Sequence, residues 1–198
     1  MATAEIRSND RILLRALELF SQKGYDATSV REICEAAGVT KPTLYHFYGS
    51  KEGVYRAIVE GSLERFRAEM ALALSRDGTL RERLVRMATA YVAATLREPV
   101  LARFIMALIH NPPRSAPATD FVGFYERLLA EVARALEVAR GRGEIAAGPT
   151  DIRLLVFMGA LGEAMHGFLL VGRPELTPAL AETLVDTVLR GWSAPLPS

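Results

Sequence analysis

The chain predicts an all-α fold, and three observations carry that prediction. Apolar residues recur at three- and four-residue steps along nearly the whole length, with no alternating strand pattern and no internal repeat. Capping residues and glycines punctuate these runs where helices should start and stop. Between Ser29 and Tyr48, SVREICEAAGVTKPTLYHFY, the punctuation is dense enough to define two short helices and the turn that joins them.

The first helix is expected from about Asn9 to Lys23, with Leu13, Ala16, Leu17 and Phe20 as its stripe and Gly24 at its end. Ser29 with Glu32 three residues on is a capping box that fixes the start of the second helix. Val30, Ile33, Cys34 and Ala37 then fall on one face, and Gly38 supplies the left-handed conformation that stops it. Thr40 can cap a third helix whose first turn carries Pro42, tolerated there because the amide it lacks would have no intrahelical partner. Two helices joined by a glycine turn of this length form a helix-turn-helix, whose second helix enters the DNA major groove. After Gly49, Ser50 caps a fourth helix to about Leu74, with Val54, Ala57, Ile58 and Gly61 on one face.

Arg76-Asp77-Gly78 marks a boundary, and Thr79 with Glu82 opens the next helix through a second capping box, with Leu84, Met87, Ala88 and Tyr91 aligned. Pro99 starts a shorter helix that Asn111-Pro112-Pro113 stops. A long helix is expected from about Thr119 to Arg140, and a last pair from about Thr150 to Val171 and from Pro178 to about Gly191. The stretch from Leu154 to Gly172 approaches the ~20 residues that span a bilayer. The central Glu163 and four glycines speak against a span and for a helix buried at a subunit interface. Two apolar helices docking on their twins give a four-helix bundle, so a homodimer through the last two helices is expected, with no membrane partner.

The run from Arg11 to Phe66 resembles the N-terminal domain of the TetR family of bacterial transcriptional regulators, through ALELFSQKGYDATSVREICEAAGV and then TKPTLYHFYGSKEGVY. The resemblance covers about the first third of the chain. It implies a three-helix DNA-binding domain at 1–50, a linking helix at 51–76 and a helical ligand-binding and dimerisation domain at 77–198. The implied partners are double-stranded DNA and a small-molecule effector, without a cofactor.

Charge alone does not point to DNA. Net charge is +1, and residues 1–60 hold eight Lys/Arg against eight Asp/Glu, so no general basic footprint exists. From Ala36 to Lys51, however, there are two lysines and no acid. The single cysteine excludes an intrachain disulfide and suits a reducing cytoplasm; on its helix stripe, Cys34 reads as a small core residue. His46, His110 and His166 show no metal-ligand spacing, so no metal is expected. No nucleophile–His–acid set or phosphate-cradling loop is visible, which argues against an enzyme.

The candidate DNA-binding residues are Thr28, Ser29, Arg31, Thr40, Lys41, Pro42, Thr43, Tyr45, His46 and Lys51. Leu44 and Tyr48 are one turn apart and face the core, leaving their neighbours to point outward. Lys41 near the helix start can donate to guanine O6 or N7, and Pro42 can meet a thymine methyl. Thr40, Thr43 and Tyr45 carry hydroxyls suited to phosphate, and Arg31 is a second candidate for guanine. The hydroxyls of Thr28 and Ser29 and the amides of that helix start suit a phosphate, as does Lys51 beside the Ser50 cap. In the family, positions matching Arg31, Lys41, Thr43, Tyr45 and Lys51 commonly touch DNA. One departure stands out: members usually have phenylalanine where Tyr48 sits, and often tyrosine or histidine where Phe47 sits. Phe47 cannot donate to phosphate, so it is assigned no contact.

The resemblance also implies a small-molecule pocket within the C-terminal helices. Candidate lining residues are Tyr91, Phe104, Met106, His110, Phe124, Phe157, Glu163, Met165 and His166, with Phe168 beside them. Glu163 and His166 share a helix face, as a structural pair or as a polar anchor for ligand. An apolar or amphipathic effector is expected. A binding module that keeps this fold without operator recognition, such as a carrier for a hydrophobic metabolite, is the alternative.

Overall fold

In the computed structural model, which describes residues 7–193, every regular element among the described residues is an α-helix. The helices are α1 (Ser8–Lys23), α2 (Val30–Ala37), α3 (Lys41–Tyr48), α4 (Lys51–Ser75), α5 (Leu80–Arg97), α6 (Pro99–His110), α7 (Phe121–Gly141), α8 (Thr150–Val171) and α9 (Pro178–Ser193). Both expected capping boxes form, at Ser29/Glu32 and at Thr79/Glu82.

The described residues divide into two compact units, 7–64 with 100–120, and 65–99 with 121–193. Residues 100–120, expected with the C-terminal part, thus belong to the N-terminal unit. The reason is aromatic: the Phe104 ring stacks on Phe20 at 6.4 Å and meets Tyr55 edge-on. Tyr25 completes this group, 5.1 Å from Tyr55. Ile12, Ala16, Ile33, Leu44, Val54 and Ile58 of the same unit are all buried. The α1 ridge is therefore Ile12, Ala16 and Phe20, with Leu13 and Leu17 half-buried beside it.

The second unit is an aliphatic core in which α5 packs on α9, α7 on α8 and α8 on α9. Leu84, Met87, Val132, Leu136, Leu161 and Val185 are its centre. The α9 stripe turns inward: Ala181, Val185, Val188 and Trp192 are buried. Helix α8 is long and apolar enough to cross a membrane by length and composition. Its inner face nevertheless buries Leu154, Phe157, Met158, Leu161, Ala164 and Met165 in this core, together with the charged Arg153. The Arg153 guanidinium donates to the Ala146 carbonyl at 2.8 Å and sits over the Trp192 ring.

Candidate nucleic-acid interface

Helix α2 begins where Ser29 accepts from the Glu32 amide while the Glu32 carboxylate accepts from the Ser29 amide at 2.9 Å. It ends at Gly38, whose left-handed φ of 63° turns the chain and lets the Val39 amide bond back to the Cys34 carbonyl. Thr40 then caps α3 by accepting from the Thr43 amide, and Pro42 lies in the first turn. Two tertiary bonds hold this pair of helices from outside. The Arg11 guanidinium donates to the Ala37 carbonyl at 3.2 Å, satisfying the C-terminus of α2. The Tyr48 hydroxyl donates to the Asn9 carbonyl at 3.0 Å, tying the end of α3 to the start of α1.

Leu44 is the one buried side chain of α3, with Tyr48 half-buried one turn on. Lys41, Pro42, Tyr45 and His46 are exposed, Thr40 is exposed at the cap, and Thr43 is half-buried. The helix is thus held by one ridge and presents the rest. Arg31 is also exposed, with Glu35 one turn away at 3.7 Å. This stretch of cations, hydroxyls and aromatic rings carries no acid from Ala36 to Lys51.

Three expected phosphate ligands have other duties. Thr28 is 1% exposed and its hydroxyl donates to the Gly24 carbonyl at 2.8 Å, so it closes the α1–α2 turn instead of facing solvent. At Ser29 both the amide and the hydroxyl are engaged by Glu32. That carboxylate is held down at about 2, first by the Lys23 ammonium and then by Ser29. The Lys51 ammonium donates to the carbonyls of Tyr25 and Thr28, both at 3.0 Å, and lies 4.1 Å from the Tyr25 ring centroid. Lys51 therefore fixes the start of α2. Sequence reasoning missed this because a carbonyl acceptor has no signature of its own. Arg11 was missed for the same reason. Burial raises the Tyr25 phenol to about 12, with the Glu52 carboxylate adding to it.

The expected ligand lining is divided between the two units. Phe104 is core in the first unit, where Met106 is half-buried and His110 is exposed at the end of α6. In the second unit, Phe157 and Met165 are core. The Glu163 side chain is 82% exposed and 3.9 Å from the His166 imidazole, so that pair stands on the outside of α8. Tyr91 and Phe124 each meet Phe66, with the Phe66 and Tyr91 rings perpendicular at 4.8 Å. Burial pushes the Tyr91 phenol up to about 12. A separate open cleft of about 630 Å³ in this unit is lined by Leu80, Arg81, Glu144, Ile145, Asp186 and Leu189, among others, and by none of the expected residues.

The geometry from Val30 to Tyr48 is that of a helix-turn-helix DNA-binding domain. Residues 12–58 match the family model of bacterial regulatory proteins of the tetR family. Over 65 residues the chain is 40% identical to the HTH-type transcriptional repressor ComR of Escherichia coli, a segment spanning 33% of this chain and 31% of ComR. A longer stretch of 151 residues is 28% identical to the uncharacterized HTH-type transcriptional regulator YezE of Bacillus subtilis, covering 73% of this chain and 76% of that one. The TetR family transcriptional regulator PfmR from Thermus thermophilus has the same fold, with a TM-score of 0.73, 24% identity and coverage of 91% and 98%. So does FadR from Bacillus subtilis, solved in complex with stearoyl-CoA, with a TM-score of 0.72, 18% identity and coverage of 91% and 97%. Residues 12–58 thus match the DNA-binding domain of the tetR family, and over most of its length the chain is similar in fold to regulators of that family. Its match to ComR spans about a third of that relative, so sequence likeness there speaks for the DNA-binding part.

Proposed function

We propose that the protein is a cytoplasmic, ligand-responsive repressor that binds a palindromic operator as a homodimer, and that a small apolar or amphipathic effector releases it. The observation that carries this reading is the presented face of α3, anchored by the buried Leu44 and the Tyr48 hydroxyl and lined by Lys41, Pro42, Tyr45 and His46. Lys41 and Arg31 are the base readers; Thr40, Thr43 and Tyr45 meet phosphates that set register. Thr28, Ser29 and Lys51 act one step back, by fixing where α2 begins.

Two features support the rest of the reading. Helix α8 leaves Ile152, Leu155, Val156, Leu170 and Val171 exposed, an aliphatic face of the kind that a twin subunit covers. The aromatic group of Phe66, Tyr91 and Phe124 is half-buried in the second unit and offers an apolar wall with one hydroxyl. An effector acts there by binding one dimer spacing better than the other. With two heads on one duplex, half-sites lie about 34 Å apart or a multiple of it.

Titration of labelled upstream DNA with the full chain at several salt concentrations tests the reading. Site-selective binding that Lys41→Ala or Tyr45→Ala abolishes is expected. Binding without sequence preference, or indifferent to both changes, overturns it.

A further inference from the structure

Phe47 is the residue of α3 that the DNA-reading scheme leaves unused, and it is not core. Its side chain is 47% exposed, as much as Tyr45 at 48%. Among the aromatic rings of the described residues it meets only those of its chain neighbours, His46 edge-on at 5.2 Å and Tyr48 at 6.2 Å. Successive residues of a helix are about 100° apart. Phe47 therefore stands within about 40° of Thr43, one turn earlier, and far around the helix from Tyr45. The two exposed aromatic rings flank the outward face that Pro42 and His46 occupy.

We infer that Phe47 is a DNA contact of apolar type: its ring packs against the deoxyribose wall of the groove on the Thr43 side, opposite Tyr45. A phenyl ring has no donor for a phosphate oxygen, but it can cover the carbon face of a sugar. Phe47 sits in the last turn of α3, whereas the first turn of a reading helix is the part that reaches base edges. It therefore meets backbone, and positions without specifying. The neighbouring Tyr48 explains why this ring is outside. Tyr48 turns inward to donate to Asn9, and Phe47, the next position around the axis, faces out. A sugar contact releases no counterion, so its contribution is independent of salt.

The inference rests on reading α3 as the DNA-contacting helix, and one experiment separates the two. Duplexes selected by the full-length protein from a random library are titrated with wild type, Phe47→Ala, Phe47→Leu and Tyr45→Ala at several salt concentrations. Circular dichroism serves as a folding control. For Phe47→Ala, binding about tenfold weaker on every duplex is expected, with an unchanged salt slope and unchanged base ranking. Phe47→Leu should recover most of the loss. Three results overturn it: wild-type affinity in Phe47→Ala, which makes the ring plain surface; an altered base ranking, which makes it a base reader; or a shallower salt slope. If Tyr45→Ala is impaired and Phe47→Ala is not, only this inference falls. If wild type selects no sequence, the reading of α3 falls and takes this inference with it.

Discussion

Helices α3 and α8 both present large side chains to solvent, yet the chemistry they present is different. Helix α3 shows cations, hydroxyls and aromatic rings around one buried leucine. Helix α8 buries eight side chains on its inner face and shows mainly aliphatic ones outside around the exposed Glu163, with Leu155 at 66% and Leu170 at 70% exposure. Polar groups and rings suit phosphates, sugars and bases, whereas bare aliphatic surface suits only another apolar surface. The difference teaches that exposure alone does not name a partner. The atoms exposed do.

The largest effect expected concerns how each helix is anchored. Leu44→Ala removes the one buried side chain of α3 and should cost about 3 kcal/mol in denaturant unfolding, together with all DNA binding. If stability barely falls, α3 is held by something besides that ridge, and the contrast with α8 weakens.

Next comes the outer face of α8. Leu155→Glu should leave unfolding of the chain within about 0.5 kcal/mol of wild type, since the residue touches little of its own subunit. It should weaken self-association by about 30-fold in sedimentation, an interface substitution of about 2 kcal/mol. An unchanged association state would break the assignment of that face to a second copy.

Lys51→Ala probes whether a residue of the reading domain acts on DNA or on the fold. Its ammonium donates to two carbonyls, of which Tyr25 keeps the Thr28 amide, so about 1–2 kcal/mol of stability should go, in addition to DNA affinity. Loss of affinity with full stability would make it a plain phosphate ligand.

The smallest effect is a pH dependence at the start of α2. Glu32 titrates near 2 in the fold, below its ordinary 4.5, because of Lys23 and Ser29. Its contribution is thus fully present above 4.5 and lost as pH falls through 2. Glu32→Gln should therefore be less stable than wild type at neutral pH, with the gap closing between about 4.5 and 2 in acid unfolding. A gap that persists at the lowest pH would mean that the carboxylate's charge plays no part.

Much of the first domain was legible because its signals are local. A capping box needs residues three apart, and a left-handed turn needs a glycine at one position, so Ser29, Glu32, Gly38 and Thr40 announce α2 and α3 without any tertiary knowledge. Spacing also singled out Leu44 as inward and Tyr45 as outward. The bond of the Thr28 hydroxyl to the Gly24 carbonyl was not legible, because a hydroxyl beside a helix start looks the same in sequence whatever it faces. The surroundings of Phe104 were hidden for a related reason. Periodicity says that Phe104 is buried but not against what, and its partners are Phe20 and Tyr55, far away in the chain.

The helices, their caps and the helix-turn-helix motif were written in the sequence, because each depends on residues within a few positions of one another. Only the tertiary structure decided that α6 packs with the N-terminal helices, that Lys51 and Tyr48 turn to backbone carbonyls, and that Phe47 is left facing out. Those outcomes depend on which distant surfaces meet, and a one-dimensional pattern fixes the face a helix hides without fixing what hides it.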